Sequence, residues 1–253
     1  MTLRVLVVTA VAAEARSVAA GLVGCAARAS RPLPSGHTVT RHLLTGHTLA
    51  RLTGPAAPAV DVLAGGVGPA AAAVGAATAL ATAPYPYDLV ISAGIAGGFV
   101  PRAPLGSLVV ADAIVAADLG ADTPDGYVAV EELGFGRSVH VPPPELTARC
   151  ADAVASSGHR TLTAPVLTVS TVTGTAARAA ELTARHPRAG AEAMEGYGVA
   201  EAAAAHGVPA VEIRAVSNAV GPRDRAAWRI GDALDALRAA FQPLSSGVFL
   251  EDS

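Results

Sequence analysis

The 253-residue chain contains no lysine: its 18 basic residues are all arginine, set against 21 acids for a formal charge of -3. That balance excludes the dense positive field a nucleic-acid backbone requires, so nucleic acid is not an expected partner. Cysteine is scarce, and Cys25 and Cys150 are neither closely spaced nor flanked by histidine. A disulfide framework and a zinc site are both excluded, and no metal is expected. Aromatic residues make up only 4%, against an aromatic-rich binding platform, whereas abundant Ala and Gly suit helices packed closely on a sheet. With charged residues at 15% the chain is not of the disordered class. Met1-Thr2-Leu3-Arg4-Val5 leads into an apolar run without a basic region or cleavage site, so no signal peptide is read and a cytoplasmic location is expected. Val62 to Tyr87 lacks charge and is nominally long enough to span a bilayer. Gly65, Gly66, Gly68 and Pro69 break that run, and Pro84 and Pro86 close it, leaving an Ala-rich helix too weakly hydrophobic to insert.

What is present alternates between strand and helix. Leu3 to Val8 is a run of strand length, and Ala12 to Leu22 reads as a helix, which puts Glu14 in a first helical turn just beyond a strand's carboxyl end. Residues 24–36, rich in Arg, Pro, Ser and Gly, read as a loop, and Thr38 to Leu44 with Thr48 to Leu52 as a hairpin. Val60 to Ala64, the glycine turn to Pro69 and Ala70 to Ala81 form a strand, turn and helix unit. Leu89 to Gly94 repeats the strand and runs into Ile95-Ala96-Gly97-Gly98, Leu108 to Ala116 is another, and Gly120 to Pro144 is turn-rich. Then come a strand over Val166 to Ser170, a helix over Ala176 to Arg185, an apolar segment over Ala191 to Glu195, a helix over Val199 to His206, a strand over Ala210 to Ser217 and a closing helix over Ile230 to Phe241. The alternation predicts one α/β domain over residues 1–253, a mostly parallel twisted central sheet flanked by helices. Ligands of such sheets bind outside the carboxyl ends of the strands, where turns 9–14, 65–69, 94–98, 170–174, 194–196 and 217–224 would gather.

Each chemical candidate has a plain structural alternative. The Gly-rich turns serve packing as easily as ligand approach, and they lack the Lys of a phosphate loop and the full Gly-x-Gly-x-x-Gly of a dinucleotide site. Glu14 alone is a helix N-terminal acid. Glu195, in Ala193-Met194-Glu195-Gly196, is a carboxylate among apolar and small residues, where an unpaired charge is costly, so it needs a partner. Asn218 stands where a strand gives way to a loop and reads as a turn former, and Arg223, Asp224 and Arg225 as a solvated charge cluster. These residues together indicate an α/β enzyme with a carboxylate-lined cleft and name no substrate.

The order of motifs resembles the purine nucleoside phosphorylase and nucleosidase superfamily over nearly the whole chain. The resemblance is carried by Val7-Val8-Thr9-Ala10 leading to Glu14, Gly66-Val67-Gly68-Pro69-Ala70, Ser92-Ala93-Gly94-Ile95-Ala96-Gly97-Gly98, Met194-Glu195-Gly196-Tyr197-Gly198 and Glu212-Ile213-Arg214-Ala215-Val216-Ser217-Asn218. The stretch Gly221 to Ile230 is similar to the futalosine-hydrolysing branch, which serves an alternative menaquinone pathway. The resemblance implies a nucleoside phosphorylase-like fold, hydrolysis of the N-glycosidic bond of a small purine nucleoside, a homo-oligomer and no cofactor. It further implies that Glu14 activates water and that Glu195 holds the ribose hydroxyls with Met194 beneath the sugar. Gly94, Ile95, Ala96, Thr171, Val172 and Thr173 would be substrate contacts, the last three through main chain that reads the base, and Arg223, with Arg225 beside it, would meet a carboxylated 5′ group. Asp118 to Tyr127 would be a loop covering a neighbour's site.

Adenine-cleaving relatives carry Asp where this chain has Asn218. An amide offers NH₂ to a 6-oxo oxygen and a carbonyl to a protonated N7, which predicts hypoxanthine rather than adenine as the leaving base. A carboxylate in the first turn would repel phosphate, so water is the expected nucleophile. A methylthioadenosine or adenosylhomocysteine nucleosidase, a purine nucleoside phosphorylase and a non-catalytic nucleoside sensor are the competing readings.

Overall fold

The computed structural model describes residues 3–44 and 59–249. Its first unit is β1 (Arg4–Thr9), whose residues are all buried, followed by α1 (Ala12–Gly21). β2 (Cys25–Pro32) and β3 (Thr38–Leu44) form an antiparallel pair that extends the sheet through β4 (Ala59–Ala64). The loop expected over 24–36 is therefore mostly strand: ladder pairing with β3 overrides a local composition that favours turns. The strand expected at Thr48 to Leu52 lies outside the described residues. α2 (Pro69–Ala81) starts with proline at its first position, where no amide is needed. β5 (Leu89–Gly98) and β6 (Leu108–Ala116) follow. Within the turn-rich stretch stand a small hairpin, β7 (Gly120–Thr123) with β8 (Gly126–Ala129), and the two-residue β9 (Val139–His140).

The amphipathic α3 (Pro144–Ala155), absent from the sequence expectation, precedes β10 (Thr161–Thr168), which begins five residues before the strand predicted there. α4 (Ala176–Arg185) lies where expected, β11 (Ala191–Ala193) is short, and α5 (Gly196–Ala205) starts three residues earlier than predicted, directly after Glu195. β12 (Ala210–Ala219) carries Asn218 inside the strand rather than in a loop, and α6 (Ile230–Ser246) closes the fold.

The sheet runs β11-β10-β6-β12-β5-β1-β4-β3-β2, with β9 beside β6. Pairings β1/β4, β1/β5, β5/β12, β6/β10 and β10/β11 are parallel, as expected for most of the sheet. β6 meets β12 antiparallel, and β11 also pairs antiparallel with the end of β5, so β5, β12, β6, β10 and β11 close into a ring. One face of the sheet packs Val18 of α1, Cys150 and Val154 of α3, and Leu237 and Phe241 of α6. The other face packs Ala72 and Ala76 of α2 with Val199 and Ala203 of α5. Burial of these apolar side chains, each worth about 1.5–3 kcal/mol for the larger ones, fixes where the strands end and hence where the cleft opens. Among the described residues no helix is long and apolar enough to cross a membrane.

Candidate active site

At the carboxyl ends of β1, β5, β11 and β12 a cleft of about 250 Å³ is lined by Glu14, Ile95, Ala96, Glu192, Met194, Glu195, Asn218, Arg223 and Trp228, among others. Glu14 is the third residue of α1, and its carboxylate turns back on the chain. Its Oε2 accepts from the amides of Ala10 (3.0 Å) and Val11 (3.1 Å), and its Oε1 accepts from the amide of Ile95 (2.9 Å). The helix-terminus role is thus real, since the N-cap Val11 has no side-chain acceptor of its own. What the local pattern did not show is that the same carboxylate is buried and faces the cleft. Burial raises its proton affinity above the ordinary carboxylate range, against the opposing pull of the Ile95 amide and Arg214. Gly94 lies behind this group rather than on the cleft wall: a Cβ there would stand 2.6 Å from Glu14 Oε1 and 2.7 Å from Arg214 Nη1.

Arg214 is fully buried and organises the acids. Its Nε donates to Glu212 Oε1 at 2.7 Å, its Nη2 donates to Ser92 Oγ at 3.0 Å, and its Nη1 lies 3.3 Å from Glu195 Oε2. Glu14 also contributes to its electrostatic surroundings. Glu195 N-caps α5, and its Oε1 accepts from the amide of Gly68 at 3.2 Å, which ties the glycine turn after β4 to the cleft. Three carboxylates therefore share one guanidinium. Glu212, enclosed completely, is pushed up in proton affinity by burial, with Arg214 opposing. The partner that Glu195 required from its sequence context is thus Arg214. The signal for Glu212 and Arg214 was present as two charges at alternate positions of an apolar strand, which places both on one side of it.

Asn218 sits where the register of β12 against β5 shifts by one residue. Its Oδ1 accepts from Ser217 Oγ at 2.9 Å and its Nδ2 donates to the carbonyl of Ala219 at 3.0 Å. One lone pair and one N–H remain for a ligand. Val172 and Thr173 line the cleft, whereas Thr171 is exposed and does not. Glu192 was missed by sequence reasoning: it is buried in the cleft wall, accepting from the Thr173 amide at 2.8 Å and from Thr173 Oγ1. Burial raises its proton affinity too, countered by Thr173.

Arg223 is the one cation among the described cleft-lining residues, and its guanidinium lies 5.2 Å from the ring centre of Trp228, the chain's single tryptophan. Arg225 approaches the same ring at 5.9 Å without lining the cleft. The Arg229 amide, donating to the Ser217 carbonyl at 2.7 Å, anchors this loop to β12. Asp118 to Tyr127 forms most of the β7/β8 hairpin, and the Arg185 guanidinium lies over the Tyr127 ring. Among the described residues no group of three or more His, Cys, Asp or Glu is placed to hold a metal ion.

The Phosphorylase superfamily profile matches residues 4–246. Futalosine hydrolase of Streptomyces coelicolor is 56% identical over 96% of this chain and 95% of its own length. Futalosine hydrolase of Acidothermus cellulolyticus is 45% identical over 97% of this chain and 92% of its own. Among solved structures, native futalosine hydrolase of Helicobacter pylori strain 26695 superposes with a TM-score of 0.78 at 15% identity, covering 97% of this chain and 98% of that one. The S-adenosylhomocysteine nucleosidase of Streptococcus pyogenes gives 0.79 at 16% identity, with 97% and 98% covered. The acids gathered at the strand ends thus stand in a fold and a sequence pattern that run together through nearly the entire chain, and the chain belongs to the phosphorylase superfamily.

Proposed function

We propose that the chain is an N-glycosidase that hydrolyses futalosine to release hypoxanthine, a step toward menaquinone. The observation that carries the reading is a cleft walled by three buried acids, Glu14, Glu192 and Glu195, with a single cation, Arg223, among its described lining residues. Such a wall repels phosphate and favours a cationic transition state, as a departing purine leaves behind on the ribose. The relatives of 56% and 45% identity support futalosine as substrate.

In this reading Glu14 takes the proton of a water that attacks C1′ while the C1′–N9 bond breaks and its electron pair goes to the purine, which takes up a proton from solvent at N7. Glu195 accepts from the ribose hydroxyls, more strongly as the sugar becomes cationic, and Met194 packs beneath the ring. Asn218 uses its free lone pair for N7–H and its free N–H for O6 of hypoxanthine. Arg223, steadied by Trp228, meets the carboxylate of the 5′ substituent.

The same proposal takes the protein to be a homo-oligomer, and the support is apolar surface near the hairpin: Phe135 is 80% exposed and Val141 71%, with Leu119, Leu133 and Val139 also exposed. A cytoplasmic setting is part of it, and the free thiol of Cys150 suits a reducing compartment.

Incubation of the purified protein with futalosine, inosine and methylthioadenosine, with and without phosphate, while following the free base, tests the reading. Hypoxanthine released from futalosine without phosphate is expected. Adenine released in preference, or an absolute need for phosphate, overturns it.

A further inference from the structure

We propose that Glu192 is a specificity-determining residue that accepts a hydrogen bond from N1–H of the base and so selects 6-oxopurines over 6-aminopurines. The inference deepens the purine nucleosidase reading above and rests on it. Gly97 of β5 is in register with Asn218 of β12 on one side and with Glu192 of β11 on the other. Residues in register on adjacent strands project to the same face of a sheet, so the amide and the carboxylate flank a position that has no side chain. A Cβ on Gly97 would stand 3.3 Å from Asn218 Nδ2 and 3.0 Å from Val220 Cγ2, so any side chain there would crowd the amide. Only the strand β5 separates the two groups, so one planar base can lie against both. Gly97, Glu192 and Asn218 all line the cleft.

The chemistry of Glu192 goes beyond holding a loop. Its donors, the amide and hydroxyl of Thr173, occupy two of about four acceptor sites on a carboxylate. Glutamine would pin Thr173 equally well without the cost of burying a charge. Along the edge of the departing hypoxanthine the groups run N7–H, O6, N1–H, and along the site the order is Asn218 Oδ1, Asn218 Nδ2, Glu192. Each pair is donor with acceptor. In adenine N1 has a lone pair in place of the proton, which a carboxylate repels. An amide and a carboxylate on opposite sides of a glycine thus read one base edge jointly.

The test compares futalosine with its 6-amino counterpart as substrates of the wild type and of Glu192→Gln, and measures inhibition of the wild type by hypoxanthine and by 1-methylhypoxanthine. The variant is expected to lose on the order of a hundredfold in kcat/KM for the 6-oxo substrate with a much smaller change for the 6-amino one. In the wild type 1-methylhypoxanthine should inhibit far more weakly than hypoxanthine. A parallel loss on both substrates marks a loop-holding role alone and overturns the inference. So does equal inhibition by the two bases, a result that needs no variant to fold. Failure of the wild type to release hypoxanthine from futalosine would instead strike the underlying reading.

Discussion

A carboxylate oxygen of Glu212 lies 2.2 Å from where a Cβ on Gly196 would stand. The glycine that follows Glu195 is therefore dictated by a charged residue sixteen positions later, which folds over the start of α5 and holds Arg214. Gly196→Ala must push Glu212 off the guanidinium, at a cost of about 1–3 kcal/mol. Thermal unfolding should show a lowered Tm, and kcat should fall with it because Glu195 is the adjoining residue. An unchanged Tm would show that Glu212 yields freely.

Replacing Arg214 with methionine removes the one cation shared by Glu14, Glu195 and Glu212. Breaking a buried ion cluster from one side costs about 3–5 kcal/mol, since the remaining acids keep their burial and lose their counter-charge. Urea unfolding should register the loss. Arg214→Lys should recover only part of it, because a lysine cannot reach Glu212, Ser92 and Glu195 together from one planar group.

Three buried acids, Glu14, Glu192 and Glu212, have their proton affinities raised, chiefly by burial. In the window between the unfolded and folded pKa values the folded protein binds more protons than the unfolded chain, so this contribution to stability is present at low pH and declines as pH rises through the folded values. Catalysis runs the opposite way, because Glu14 takes a proton only when ionised. Glu192→Gln, which lacks one of the three raised acids, should therefore lose less Tm than the wild type as pH is raised from below the ordinary carboxylate range toward neutrality. Glu131, Glu181 and Glu201, whose proton affinities are lowered, add the opposite slope to both proteins. Wild-type turnover should climb over the same range. Melting curves and initial rates on one set of buffers check both signs.

Asn218→Asp should move the preferred leaving base toward adenine, because a protonated carboxyl can supply N7 with a proton and a carboxylate no longer favours O6. The ratio of hypoxanthine to adenine released from the paired 6-oxo and 6-amino substrates is the measurement. An unaltered ratio would remove Asn218 from base recognition.

Arg223→Ala should raise KM for futalosine on the order of tenfold and leave that for inosine, which has no 5′ carboxylate, nearly as before. A rise for both substrates would make the Arg223 and Trp228 pair a wall of the cleft rather than a reader of charge.

The buried strands were the most legible part of the fold. β1, β4, β5 and β6 are apolar runs that burial on both faces makes nearly continuous, and the expected limits of β4 and β6 agree with the observed ones within one residue. β2 was not legible, because its Arg and Ser residues suit a turn and only pairing with β3 makes it a strand. Glu14, Glu195 and Asn218 could be named from motif resemblance, and the structure brings all three to one cleft. Glu192 escaped notice because alanines flank it and its register opposite Gly97 comes from a strand pairing distant in the chain. Thr171 was included because it adjoins Val172 and Thr173, yet it stands in the exposed bend after β10, outside the cleft lining.

The ring made by β5, β12, β6, β10 and β11 leaves those five strands without a free edge at the cleft floor. Such a girdle cannot widen by parting two strands unless several ladder bonds break together, so the passage of substrate and product falls to the rim, where Val172, Pro222 and Trp228 stand on loops. Amide hydrogens of Ala93 to Gly98 should then exchange with solvent on the timescale of global opening, and those of residues 171–175 and 221–228 much sooner. Turnover would be paced by the hinging of that rim while the acids beneath it hold still.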